Sequence, residues 1–230
     1  MYRYKLLLLD LDGTLMDFEE AELRALKGCF TEFGLEPSQK NIKTYLAVND
    51  ALWHELEQGR IQARTLRMER FRRFLEQIGA AVDKAQAMSD SFLARLSESR
   101  DLIEGALDFL KATRKGHSIA IVTNGFSDIQ RSRLQGSPIS DYIDRLYISE
   151  ETGFAKPHPK MIQLAMQDFG IEDRGQVLFI GDSASSDLGA AMNAGIDCAL
   201  IRINAHPKAT YPLRSIRDAI AIANQCKVES

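Results

Sequence analysis

A chain of 230 residues is long enough for one sizeable hydrophobic core and a smaller second module. With 45% apolar and 27% charged residues it has the composition of a globular protein, which excludes a disordered or low-complexity chain. A formal net charge of −3 gives no electrostatic footprint for nucleic acid, and none is expected as a partner.

The elements follow in chain order. Tyr4–Leu11 reads as a buried strand, because its apolar run is continuous rather than alternating. It ends in Asp10 and Asp12, carboxylates that a strand interior tolerates poorly, followed at once by Gly13 and Thr14. Four helical patterns come next. They run through Leu23, Leu26, Phe30 and Phe33; Ile42, Tyr45, Leu52 and Leu56; Phe71, Phe74, Leu75 and Ile78; and Ala85, Met88, Phe92 and Leu96. The basic stretch "RTLRMERFRR" belongs to the third of these and reads as its solvated face. After a further helix through Ile103, Ala106, Leu107 and Leu110, strands are predicted at Ser118–Thr123, Arg145–Ser149, Val177–Gly181 and Cys198–Ile203. A helix opened by Pro159 separates the middle pair.

Strands alternating with helices predict an α/β fold, a Rossmann-like parallel sheet, with an inserted α-helical bundle. The expected division is residues 1–15 and 102–230 for the sheet core and 16–101 for the helical module. The module leaves from the end of the first strand, so it is expected over the sheet's carboxyl edge. Cys29, Cys198 and Cys226 are odd in number and far apart, which predicts reduced thiols rather than a disulfide framework. "KLLLLD" is too short and too soon acidic for a secretory signal, and no run reaches membrane-spanning length. A cytoplasmic protein without membrane partners is expected; monomer and dimer stay undecided.

In doubly wound sheets ligands sit beyond the carboxyl ends of the strands. Those ends carry Asp10-Leu11-Asp12-Gly13-Thr14, Thr123-Asn124-Gly125, "FAKP" with Lys156, and Gly181-Asp182-Ser183 with Asp187 shortly after. Hard oxygen donors suit Mg²⁺, which takes one or two carboxylates, waters and substrate phosphate. Asp10 and Asp182 are placed to supply the carboxylates. Thr123 and the amides around Asn124 and Gly125 can hold phosphate oxygens, and Lys156 can offset the crowded negative charge. The expected cofactor is therefore Mg²⁺ and the expected substrate a small-molecule phosphate monoester.

The ordered set "DLDGTL", "VTNG", "AKP" and "GDSASSD" resembles the four motifs of the haloacid dehalogenase superfamily, with the helical module matching its cap. The resemblance implies Asp10 as the nucleophile that takes the phosphoryl group. It implies Asp12 as the acid and base, with its backbone carbonyl on the metal. Asp182 would be a direct metal ligand and Asp187 an outer or water-mediated one. Thr123 and Asn124 would hold the phosphate, and Lys156 would steady Asp10. An aspartate at position 12 favours phosphate ester hydrolysis over dehalogenation, since halide departure needs no proton. A phosphonate-cleaving enzyme would need a Schiff-base lysine in the cap, and nothing singles out Lys27, Lys40 or Lys43.

"YLAVNDALWHELEQGRI", "VTNGFSDIQRSRL" and "YISEETGFAKP" resemble, more finely, the pyrimidine 5′-nucleotidases that act on non-standard nucleoside monophosphates. Trp53 and Phe126 are flat surfaces for a base, and Asn49 can read a base edge. Trp53 is equally a candidate for filling a helix interface. The alternatives are a sugar-phosphate or phosphoglycolate phosphatase, a phosphomutase, or a non-catalytic binding module on the same fold. Glu104-Gly105 replaces the Pro-Gly of many relatives without touching the chemistry. His54, His117, His158 and His206 show no catalytic pattern.

Overall fold

The computed structural model describes residues 2–226. It divides into two compact units: one made of residues 2–17, 100–127 and 134–226, the other of 18–99 and 128–133. In chain order the elements are β1 (Leu6–Leu9), α1 (Phe18–Glu32), α2 (Gln39–Glu57), α3 (Ala63–Gln77), α4 (Ala85–Ser97), α5 (Ala106–Thr113), β2 (Ser118–Thr123), α6 (Ser127–Gln135), β3 (Arg145–Ile148), α7 (Ser149–Thr152), α8 (Lys160–Asp168), β4 (Val177–Gly181), α9 (Gly189–Ala194), β5 (Asp197–Leu200), β6 (Tyr211–Pro212) and α10 (Ala219–Ala223).

The first unit is a six-stranded parallel sheet in the order β3-β2-β1-β4-β5-β6. Its central strand shows why the leucine run is continuous. Leu7 and Leu9 enter one apolar core with Phe109 and Leu110 of α5 and Ala219 of α10. Leu6 and Leu8 enter the opposite core with Met161 of α8 and Ala191 of α9. Both faces of β1 are covered, so both sets of side chains must be apolar. The register pairs Leu9 with Ile121 and with Ile180, which sets the carboxyl ends of β1, β2 and β4 side by side.

β1 is shorter than Tyr4–Leu11, because the chain turns away once it passes Leu9. The Leu11 carbonyl accepts from the Leu15 and Met16 amides, and Gly13 closes this turn at φ 80°, a conformation that favours glycine. The two-residue β6 carries too little pattern to be read from sequence.

The second unit is built on α1 to α4, the four helices expected from periodicity. Phe30, Tyr45, Phe71, Phe74 and Phe92 form its aromatic core, with Phe30 and Phe74 stacked at 4.9 Å. Arg70 is buried among them, its guanidinium 4.7 Å from the Phe92 ring centre. The unit also takes in residues 128–133 of α6. Arg67 donates to both carboxylate oxygens of Asp128, at 3.1 and 2.5 Å, and the Ser132 hydroxyl donates to the Ser97 carbonyl. Arg133 lies over the Phe18 ring. No helix among the described residues is long and apolar enough to cross a membrane.

Candidate active site

Beyond the carboxyl ends of β1 and β4, Asp10, Asp182 and Asp187 each bring a carboxylate oxygen within 4.8 Å of the others. Asp10 is the first residue past β1, and its N–H donates to the Ile180 carbonyl, so the β1–β4 ladder fixes its backbone. Asp182 follows β4 directly. Asp187 reaches the same place through a π-helical turn, Ala184–Leu188, started by Ser183, whose hydroxyl accepts from the Ser186 amide. Such turns insert an extra residue and redirect a side chain.

Lys156 is 2% exposed and joins two of the carboxylates: its Nζ donates to Asp10 Oδ1 at 2.5 Å and to Asp187 Oδ1 at 2.7 Å. Asp187 spends its other oxygen on the Ser183 amide. Asp182 is held differently: its Oδ1 accepts a long, 3.4 Å bond from Thr14, and Arg202 stands 3.8 Å from its Oδ2.

Burial pushes the Asp10 carboxyl well above the usual range; the Lys156 ammonium opposes this, and the Asp187, Asp182 and Asp12 carboxylates add to it. Burial likewise drives Asp182 up to about 6, with Asp187 contributing. Burial alone would discharge Lys156, but Asp10 and Asp187 outweigh it and hold the ammonium charged far above its ordinary value. Three buried or half-buried carboxylates around one buried ammonium, all hard oxygen donors, form a set short of positive charge. That chemistry fits a divalent cation such as Mg²⁺.

At the β2 end the Asn124 side chain clasps Lys156, while the phosphate expectation concerned the amides around Asn124 and Gly125. Its Nδ2 donates to the Lys156 carbonyl at 2.9 Å and its Oδ1 accepts from the Lys156 amide at 2.8 Å. The Gly125 amide, expected as an anion donor, donates to the Ser149 hydroxyl at 3.1 Å. The Asn124 side chain thereby braces the loop that carries the lysine. Thr123 and Phe126 are buried. Ser149 was not singled out from sequence, because a serine at a strand end has no signature of its own. Asn49 and Trp53 lie on α2 of the helical unit. Asn49 is buried and its amide donates to Glu22 at 3.1 Å, whereas Trp53 is half-buried.

The chain has known relatives. The profile described as haloacid dehalogenase-like hydrolase matches residues 7–201. The chain is 34% identical over 197 residues to pyrimidine 5′-nucleotidase YjjG of Escherichia coli, covering 86% of this chain and 84% of that protein. It is 34% identical over 200 residues to pyrimidine 5′-nucleotidase PynA of Streptococcus pneumoniae, covering 84% and 82%. The crystal structure of the putative hydrolase YfnB of Bacillus subtilis, bound to magnesium, superposes with a TM-score of 0.90 at 28% identity over 96% of this chain and 99% of that one. The four strand-end motifs, the sheet order and these matches together make the chain a member of the haloacid dehalogenase-like hydrolase family.

Proposed function

We propose that this hydrolase is a divalent-cation-dependent phosphomonoesterase that passes the phosphoryl group through Asp10, with pyrimidine nucleoside 5′-monophosphates as its substrates. The observation that carries the chemistry is the buried Lys156 bridge between Asp10 and Asp187 beside Asp182. It fixes one carboxylate oxygen of Asp10 by a charged hydrogen bond and leaves the other for attack on phosphorus.

In the first step an Asp10 oxygen bonds to phosphorus while the ester oxygen departs, taking a proton from the Asp12 carboxyl. In the second, Asp12, now a carboxylate, removes a proton from water. The hydroxide oxygen bonds to phosphorus, and the bond to Asp10 breaks, releasing phosphate and restoring both side chains. Lys156 stays protonated throughout and lies against the transferred oxygens as well as Asp10. Asn124 and Ser149 act indirectly, by bracing the Lys156 and Gly125 backbone. Mg²⁺, held by Asp10, Asp182 and the Asp12 carbonyl with Asp187 behind them, would supply charge neutralisation for the phosphoryl group.

The substrate class is supported by the two nucleotidase relatives. The test is phosphate release from dUMP, dTMP, phosphoglycolate and p-nitrophenyl phosphate, with and without Mg²⁺, for wild type and Asp10→Asn. Mg²⁺-dependent release preferring dUMP or dTMP, and lost in the variant, is expected. Equal behaviour of the two proteins overturns the chemistry, and preference for phosphoglycolate overturns the substrate class alone.

A further inference from the structure

Arg202 follows β5 at the carboxyl edge of the sheet and is the one non-glycine with positive φ, 62°, among the described residues. An L side chain pays for this left-handed conformation, which persists where the surroundings over-determine it. They do so here. The Ile201 N–H donates to the Gly181 carbonyl at 2.9 Å, the Ile203 N–H to the Leu213 carbonyl at 3.0 Å, and the Leu213 N–H to the Leu200 carbonyl at 2.8 Å. Packing records the reversal. Ala199 and Ile201 enter one apolar core, Cys198 and Leu200 the other, and Ile203 sides with Leu200. In a regular strand, Ile203 would share the face of Ile201. The chain turns over at Arg202, whose guanidinium stands 3.8 Å from Asp182 Oδ2.

Two cations therefore divide the acidic cluster. Lys156, 2% exposed, locks Asp10 and Asp187, whereas Arg202, with its side chain 44% exposed, faces Asp182 at 3.8 Å, where solvent weakens the pairing. We propose that Arg202 is a positioning residue, a built-in counter-cation on Asp182 that weakens the pocket's hold on a divalent cation and keeps that ion exchangeable. This rests on the reading that Asp10 and Asp182 bind the ion.

The experiment is calorimetric titration of Mg²⁺ into the full-length, phosphate-free protein and its Arg202→Gln, Arg202→Lys and Arg202→Gly variants. Arg202→Gln and Arg202→Gly should bind Mg²⁺ about 2- to 5-fold more tightly, and Arg202→Lys should stay within about twofold of wild type. Raising the ionic strength should narrow the gap between wild type and Arg202→Gln. Glycine adopts the left-handed conformation freely, so Arg202→Gly reads the charge even where glutamine disturbs the fold. Equal or weaker binding by the folded neutral variants overturns the inference, as does tightening in Arg202→Lys as large as in Arg202→Gln. Absence of Mg²⁺ uptake in every protein overturns the ion reading with it; uptake indifferent to residue 202 overturns this inference alone.

Discussion

Gly13 lies directly against the Asp182 carboxylate: a methyl group at position 13 would overlap Asp182 Oδ2 and Cγ. The turn after β1 and the loop after β4 approach this closely only because residue 13 has no side chain, and its φ of 80° adds a second reason for glycine. Gly13→Ala should therefore displace Asp182 and strain the turn together. A loss of about 1–2 kcal/mol in unfolding free energy is expected from the backbone alone. Weakened Mg²⁺ binding should accompany it, and thermal unfolding with and without Mg²⁺ reads both effects.

Lys156 is a cation buried between Asp10 and Asp187. Replacing it by methionine keeps the volume and strands two buried carboxylates. Breaking one partner of a buried ion pair costs about 3–5 kcal/mol, because the charge left behind is neither paired nor hydrated. Lys156→Met should lower the melting temperature sharply in the absence of divalent cations and recover part of the loss when Mg²⁺ is added. A melt that Mg²⁺ leaves unchanged would contradict a shared electrostatic role for the lysine and the ion.

The Arg67–Asp128 pair ties residues 128–133 to α3 within the helical unit. Burial raises the Asp128 carboxyl, but Arg67 outweighs it and holds the group below its ordinary 3.8. A depressed carboxylate contributes stability above its unfolded value and loses it as pH falls through the folded one. Both partners meet solvent, so the contribution should lie well under about 1 kcal/mol. Asp128→Asn should destabilise the protein slightly near neutrality and leave it equal to wild type at a pH below the depressed value. Paired urea melts at the two pH values provide the check.

The sheet was legible because its strands are buried on both faces, so that a short run such as Leu6–Leu9 is continuously apolar. The cluster was legible because carboxylates at strand ends are few, and the motif order resembles that of a known family. What the sequence hid was how neighbouring groups are used. Asn124 reads as a phosphate ligand, but a two-point clasp on a backbone amide and carbonyl depends on where the Lys156 loop returns, a long-range fact. Arg202 reads as the residue after a strand, and only the left-handed turn aims it at Asp182. The attachment of residues 128–133 to the helical unit was not legible, because Arg67–Asp128 and Ser132–Ser97 are polar contacts between residues far apart in sequence.

Asp12 separates the two halves of the proposed reaction, and its substitution tests them separately. It leaves the acidic triad intact, since Asp10, Asp182 and Asp187 form that cluster. Asparagine at position 12 cannot give a proton to the departing oxygen or take one from water, and general acid–base assistance is commonly worth about 10²- to 10⁴-fold. From a nucleoside 5′-monophosphate the nucleoside would leave as an alkoxide and needs the proton; from p-nitrophenyl phosphate the nitrophenol leaves as a stable phenolate and does not. Asp12→Asn should therefore lose dUMP hydrolysis by about that factor. With p-nitrophenyl phosphate it should still release a first equivalent of nitrophenol quickly, then stall because no base activates water. A burst followed by a slow steady state, with phosphate retained on Asp10 and detected by mass spectrometry after acid quench, is the expected record. Equal loss on both substrates with no burst would remove Asp12 from proton transfer and return it to a purely structural place in the turn.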